Sequence, residues 1–151
     1  MKHYIIDGNN LIGKIKSLCQ IQKRNKQHSR EKLAFILSRF FSRKKVSVSL
    51  HYDGFEKENI KVSNIKIIYS DNHSADDKIK KEIERSKNPK NVILITSDSN
   101  LAEFGRVCSC QVKKCEEFLH LINSADSENE EQSRIDMLDD TVEFKRLFGI
   151  K

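Results

Sequence analysis

Tyr4-Ile-Ile-Asp-Gly-Asn-Asn10 is a short apolar strand that breaks at once into an aspartate, a glycine and two asparagines. Its place near the start of the chain predicts a first, central strand with Asp7 at its end. Packing explains a carboxylate there poorly, because burying a charge without a partner is costly. Three later segments repeat the pattern: Val46-Ser-Val-Ser-Leu-His-Tyr-Asp53, Ile65-Lys-Ile-Ile-Tyr-Ser-Asp71 and Val92-Ile-Leu-Ile-Thr-Ser-Asp98. One acid at a strand end is ordinary. Several converging on one edge of a sheet suggest a cation site.

Helical patterns fill the intervals. Leu11, Ile12, Ile15, Leu18 and Cys19 predict a helix over 10–20, and the polar, basic run 21–29 reads as a loop. Ser29 is placed to cap a helix whose apolar face is Leu33, Phe35, Ile36, Leu37, Phe40 and Phe41. After strands at 46–52 and 65–69 comes a helix from Ala75 to Arg85, which Asn88-Pro89 ends, since proline disfavours helix in its predecessor. The continuous apolar strand 92–96 suits a parallel sheet buried on both faces. A helix at 99–105 with Gly105 as terminator, a weak strand at 107–112 and a helix at 115–123 follow.

This alternation predicts an α/β fold: a three-layer, Rossmann-like domain over residues 1–123, with a central parallel sheet of about five strands flanked by helices. Residues 124–151 read as an acidic linker and a C-terminal amphipathic helix (Ile135, Leu138, Val142, Leu147, Phe148) docked on the same domain. Ligands of such sheets bind outside the carboxyl ends of the strands, where Asp7, Asp53 and Asp98 fall.

A chain of 151 residues with 33% charged and 37% hydrophobic residues fits one globular domain. No apolar run approaches the roughly 20 residues that span a bilayer, and the start of the chain lacks the pattern of an export signal. Four cysteines without a secretory context read as reduced, so the expectation is a cytoplasmic protein with no membrane role. The net charge of +6 is unevenly spread. Lys14, Lys16, Lys23, Arg24, Lys26, Arg30, Lys32, Arg39, Arg43, Lys44 and Lys45 are opposed by Glu31 alone, whereas 126–140 is strongly acidic. A basic arm on a small domain is the footprint of a polyanion binder, or else a solvated face of an ordinary basic protein.

Within Ser74-Ala75-Asp76-Asp77-Lys78-Ile79, Ser74 and Asp77 fit a capping box, which gives Asp77 a structural reason to exist. Asp76 differs: at about 100° per residue it falls close to the Ile79/Ile83 stripe that faces the sheet. A hard cation such as Mg2+ would relieve several carboxylates brought together there, and could lower the pKa of a bound water. Asn10 can fix a carboxylate or accompany substrate, or serve only as a turn residue. Asp53, followed by Gly54, suits a turn nearly as well as a metal, Asp71 reads as loop, and Ser97 reads as a donor to a phosphate or to Asp98, or as a helix cap. The five histidines show no metal spacing, and Cys108, Cys110 and Cys115 lack a second pair for zinc. Phosphate-binding glycine loops and a Gly-x-Ser-x-Gly elbow are absent.

Ile5-Ile6-Asp7-Gly8-Asn9-Asn10-Leu11, Tyr52-Asp53-Gly54, Ser74-Ala75-Asp76-Asp77-Lys78-Ile79 and Ile95-Thr96-Ser97-Asp98 together resemble the successive motifs of the NYN domain, a branch of the PIN-like nucleases, and most closely the YacP-like bacterial group. The resemblance spans residues 3 to about 123. It implies a PIN-like fold, a Mg2+ or Mn2+ site and endoribonuclease activity, with mRNA on translating ribosomes as the substrate. By position, Asp7, Asp76 and Asp98 match metal-binding acids, Asn10 the asparagine of the first motif, and Asp77 a second acid found in many relatives. Asn9 replaces a common aromatic and reads as a bystander. Ala102 stands where some NYN nucleases carry a further acid.

The resulting expectation is a metal-dependent endoribonuclease. Asp7, Asp76 and Asp98, joined by Asp53, hold the cation, Asn10 and Asp77 orient ligands, and Lys14, Lys16, Lys23, Arg24, Lys26, Arg30, Arg43, Lys44 and Lys45 grip RNA phosphates. The rival is a catalytically weak or inactive adaptor that binds RNA or the ribosome. A phosphotransferase using Asp7 as nucleophile is disfavoured, because Asn9 stands where phosphatases of that type carry a second aspartate.

Overall fold

The computed structural model describes residues 1–133, with side chains described through residue 125. Five strands, β1 (Lys2–Asp7), β2 (Val46–Tyr52), β3 (Lys66–Tyr69), β4 (Val92–Ile95) and β5 (Gln111–Lys113), form one sheet in the order β3-β2-β1-β4-β5. Every pairing is parallel. Among the described residues, six α-helices accompany them: α1 (Gly8–Lys14), α2 (Lys16–Arg24), α3 (Lys26–Phe41), α4 (Ala75–Arg85), α5 (Ser99–Val107) and α6 (Cys115–Ser133).

Alternation along the strands builds two cores. Ile6, Leu50, Ile93 and Ile95 pack with α1, α2, α3 and α6, whereas Ile5 and Leu94 pack with Ile79 and Ile83 of α4 and Leu101 of α5. Each such fully buried aliphatic side chain contributes about 1.5–3 kcal/mol, so the two cores clamp the sheet from both faces. This is the three-layer parallel architecture that the alternating pattern predicts. β1 is central, with β2 on one side and β4 on the other, so the chain reverses its direction of travel between β1 and β4. The C-terminal ends of these two strands form the crevice where open α/β sheets bind ligands.

Several local expectations need correction. The predicted helix 10–20 is two helices, broken at Ile15, whose extended backbone (φ −105°, ψ 106°) lets a buried side chain end one helix and start the next. The predicted loop 21–29 is helical except at Asn25, because lysine, glutamine and arginine are good helix formers even where no apolar stripe marks them. Asn25, not Ser29, caps α3, its Oδ1 accepting the His28 N–H at 3.1 Å. Ser29 is buried within the helix and donates to Lys26 O. Phe35 is exposed rather than part of the apolar face.

Gly105 does not terminate α5, which runs on to Val107. It is small because a Cβ there would lie 2.8 Å from Leu94 Cδ2. The last strand falls at Gln111–Lys113 rather than 107–112. Helix α6 continues past 123 to Ser133, so residues 124–133 are helix rather than linker. The proposed amphipathic helix around Ile135–Phe148 lies outside the described residues.

Candidate active site

Asp7 ends β1, directly before Gly8 opens α1. Gly8 has no room for a side chain: a Cβ would lie 2.6 Å from both His51 O and Tyr52 Cε1, so glycine lets α1 start flush against β2. That close approach leaves Asp7 mostly buried at the sheet edge. Burial pushes its carboxyl up, the Thr96 hydroxyl and the Asn10 backbone N–H pull it down, and the charges of Asp53 and Asp76 push it up again. The net result is a pKa raised to about 6.

Three acids therefore meet electrostatically. Asp53 follows β2, with Oδ1 accepting the Ala75 N–H at 2.7 Å, which ties the end of β2 to the start of α4. Asp76, in the first turn of α4, is half-buried with Oδ2 3.4 Å from Lys80 Nζ. Its sheet-facing position was legible in the helical spacing. Asp77 is exposed, and its backbone N–H donates to Ser74 Oγ at 3.1 Å, which is the Ser74 half of the expected capping box.

Asp98 belongs to the same edge through Thr96. Thr96 is fully buried and its Oγ1 both donates to Asp7 Oδ2 at 3.0 Å and accepts the Asp98 N–H at 3.1 Å. Asp98 Oδ1 caps α5 by accepting the Leu101 N–H at 2.9 Å. Ser97 is neither cap nor free donor: its hydroxyl donates to Glu116 Oε1 at 2.6 Å and accepts the Cys115 N–H. Asn10 Oδ1 accepts the Ser97 N–H at 2.8 Å and the Cys115 thiol, so this side chain locks the turn after β4.

The donor chemistry can be tested against a divalent cation. Among the described residues, no three His, Cys, Asp or Glu side chains form a ready-made cage. Asp53, Asp76 and Asp98 each engage one carboxylate oxygen in the contacts above, and a cation beside Asp7 would offset the burial and, to a lesser degree, the charges of Asp53 and Asp76 that raise its pKa. Such a set fits a hard ion that keeps much of its water, as Mg2+ does, rather than one enclosed by protein.

The family model of the YacP-like NYN domain matches residues 4–146. The chain belongs to the YacP-like NYN family. Two solved structures are similar in fold. One is Rae1 (YacP) from Bacillus subtilis, with a TM-score of 0.70, 22% identity, and coverage of 94% of this chain and 85% of that one. The other is its W164L mutant, with a TM-score of 0.73, 18% identity, and coverage of 88% and 81%. No curated protein matches the chain by sequence. The match continues beyond residue 123, to which the resemblance in sequence extends. Membership carries a coarse function: a nuclease-type domain directed at RNA.

In this YacP-like chain the basic arm divides into parts with different roles. Lys23, Arg24 and Lys26 are exposed at the α2–α3 corner, at the end of α3 that meets Asp53. Lys14 lies 3.7 Å from Glu116, near Ser97, and Lys16 is exposed at the start of α2. Arg43, Lys44 and Lys45 precede β2, at the opposite edge of the sheet, about 20 Å away along a seven-residue strand.

Arg30 corrects the expectation outright. It is buried, donates Nη1 to Phe55 O at 3.0 Å and Nη2 to Asp53 O, and sits 5.4 Å from the ring centroids of both Tyr52 and Tyr69. A planar cation with fixed donors suits that role, and at 5% exposure it is not presented to a phosphate.

Sequence reasoning also missed two supports. Asn9 is not a bystander: its Oδ1 accepts the Asp53 N–H at 2.7 Å and joins α1 to the end of β2. Glu82 anchors α4, accepting from His3 Nε2 at 2.6 Å, Ser49 Oγ at 2.7 Å and His51 Nε2 at 2.7 Å. The signal for Glu82 was the polar series His3, Ser49 and His51, which strand alternation places on the face that packs on α4.

Proposed function

We propose that this chain is a divalent-cation-dependent endoribonuclease that hydrolyses RNA phosphodiester bonds at the Asp7 edge, with mRNA on translating ribosomes as its substrate and the cytoplasm as its compartment. The observation that carries the reading is Asp7 itself, a largely buried carboxylate with its pKa raised to about 6 and two further acids acting on it. Asp7 accepts from the Thr96 hydroxyl and the Asn10 N–H, while burial and the charges of Asp53 and Asp76 disfavour its ionised form.

Asp7, Asp76 and Asp98, with Asp53 beside them, would hold Mg2+ or Mn2+. When bound, such an ion supplies charge stabilisation at the phosphoryl group and lowers the pKa of water. The chain's own residues do the rest. Thr96 fixes the Asp7 carboxylate by its hydrogen bond and ties it to the start of α5. Asn9 and Asn10 hold the ends of β2 and β4 at fixed distance from Asp7. Lys23, Arg24 and Lys26 attract the phosphate backbone toward that edge, a sequence-independent contribution that weakens with salt. The four free cysteines accord with a reducing compartment.

Mn2+ should raise the melting temperature of the wild type and not of Asp7→Asn, and chelator should abolish RNA cleavage. Equal shifts in both proteins, or cleavage that survives chelation, overturn the reading. A second reading, an RNA- or ribosome-binding adaptor without catalysis, draws on the lack of a preformed carboxylate cage among the described residues and on buried Ala102 where some relatives carry an acid. It predicts salt-sensitive RNA binding that Asp98→Asn leaves intact.

A further inference from the structure

We propose that Phe55 is a stacking platform for an unpaired nucleobase, which makes single-stranded RNA, not duplex, the ligand of this edge; the inference rests on the RNA-directed reading above. The Phe55 side chain is 56% exposed, at a position two residues beyond Asp53 on the loop that leaves the C-terminal end of β2. The ring therefore shares an edge with the acids grouped around Asp7. Among the described residues Phe41 and Phe118 are buried in the core, whereas Phe55, like Phe35 on α3, faces solvent.

The backbone beneath the ring is held firmly. Arg30 donates to Phe55 O and Asp53 O from a buried position. Gly54 turns the chain at φ 89°, a left-handed conformation that favours glycine, while its N–H donates to Ser70 Oγ at 2.8 Å and its carbonyl accepts the Asp71 N–H at 2.9 Å. Farther along, Gln27 Nε2 donates to Glu58 O at 3.2 Å, which joins the loop to the α2–α3 corner. A solvent-facing aromatic is thus presented on a fixed backbone, so little ordering entropy remains to be lost when a flat ligand covers it.

The corner that Gln27 joins carries exposed Lys23, Arg24, Lys26 and His28. Cations for the backbone beside an aromatic face for a base are the combination that recognises single strands. A duplex presents its phosphates to the same lysines but keeps its base faces stacked, so it gains nothing from Phe55. Glu56 and Glu58 follow Phe55 with Lys57 between them, so the loop's own charge does little to attract RNA; attraction comes from the corner and retention from the ring.

Fluorescence anisotropy in chelator, where no cleavage occurs, tests this with a labelled RNA of about 12 nucleotides, single-stranded or annealed to its complement. Phe55→Ala should weaken single-strand binding about 5- to 100-fold, Phe55→Trp should restore it, and duplex binding should be unchanged by either. Single-strand binding by Phe55→Ala equal to wild type overturns the inference. So does an equal loss for both RNAs, or a wild type that binds neither. A wild type that binds in this Phe55-dependent way yet never cleaves in Mn2+ supports the stacking role while contradicting the nuclease reading.

Discussion

The Thr96 hydroxyl donates to Asp7 Oδ2 at 3.0 Å, and the same oxygen accepts the Asp98 N–H at 3.1 Å. One buried hydroxyl thus couples the acid that ends β1 to the acid that opens α5. Thr96→Val removes a donor that favours the charged form of Asp7, so the Asp7 pKa rises further. It also strands the Asp98 N–H, at a cost of about 1–3 kcal/mol. In the pH–rate profile of RNA cleavage, the acidic limb should move to higher pH in Thr96→Val and return in Thr96→Ser. A limb that stays in place contradicts the coupling.

Asp7 trades stability for charge. Its folded pKa is about 6 against an ordinary value of 3.8. Below the ordinary value the group is protonated whether folded or unfolded, and carries no penalty. As pH rises through the window from 3.8 to about 6 the unfolded chain ionises first, so the folded state loses stability, and above it the loss is constant at roughly 1–3 kcal/mol. In chelator at neutral pH, Asp7→Asn should therefore be more stable than wild type by about that amount, and the gain should vanish below about pH 4. Urea denaturation of both proteins across the range checks the sign.

Glu82 runs the other way. Burial pushes its carboxyl up, but hydrogen bonds from His3, His51 and Ser49 outweigh burial and hold it well below the ordinary 4.5. Its contribution is present above pH 4.5 and lost as pH falls toward the depressed folded value. Glu82→Ala leaves His51, 1% exposed and with no partner at Nδ1, without its remaining hydrogen bond. The expected cost is about 1–3 kcal/mol at pH 7, with a smaller gap to wild type in acid. Cleavage should fall as well, because α4 also carries Asp76. Thermal melts at pH 7 and below the ordinary carboxylate pKa separate this from a surface acid, whose removal changes neither.

Arg30 and the corner lysines should part company on substitution. Arg30→Lys cannot reach both carbonyls and keep a planar cation against Tyr52 and Tyr69, so it should cost about 2–4 kcal/mol of stability and leave the salt dependence of RNA binding alone. Replacing Lys23, Arg24 and Lys26 together by alanine should leave stability within about 0.5 kcal/mol per site and flatten the salt dependence, by a slope of roughly 2. Binding titrations at several salt concentrations read the second effect, and denaturation the first.

Strand periodicity made the sheet legible, because apolar runs such as Val92–Ile95 and their alternation with helices leave few architectures open. The edge position of Asp7 and the half-buried face of Asp76 followed from period alone. Long-range partners were not legible. Nothing local tells that Arg30 folds inward onto the Asp53 carbonyl, since a basic run reads the same whether one member is buried or all are solvated. Thr96 and Asn9 were hidden for a related reason: Asp7 and Asp53, which they bond, sit at the ends of other strands, and a hydroxyl or amide shows no preference until the sheet brings a donor or acceptor to it. The break at Ile15 shows the remaining limit, because a buried residue at helical spacing carries no mark of its own backbone angles.

The most direct test of the Asp7-centred account is the rate of RNA cleavage in Mn2+, on free RNA and on translating ribosomes, for wild type and Asp7→Asn at equal concentration. Circular dichroism confirms that both are folded. The account predicts discrete cuts by wild type on at least one of these substrates, lost in chelator and lost in Asp7→Asn. Equal cleavage by the two proteins would contradict it.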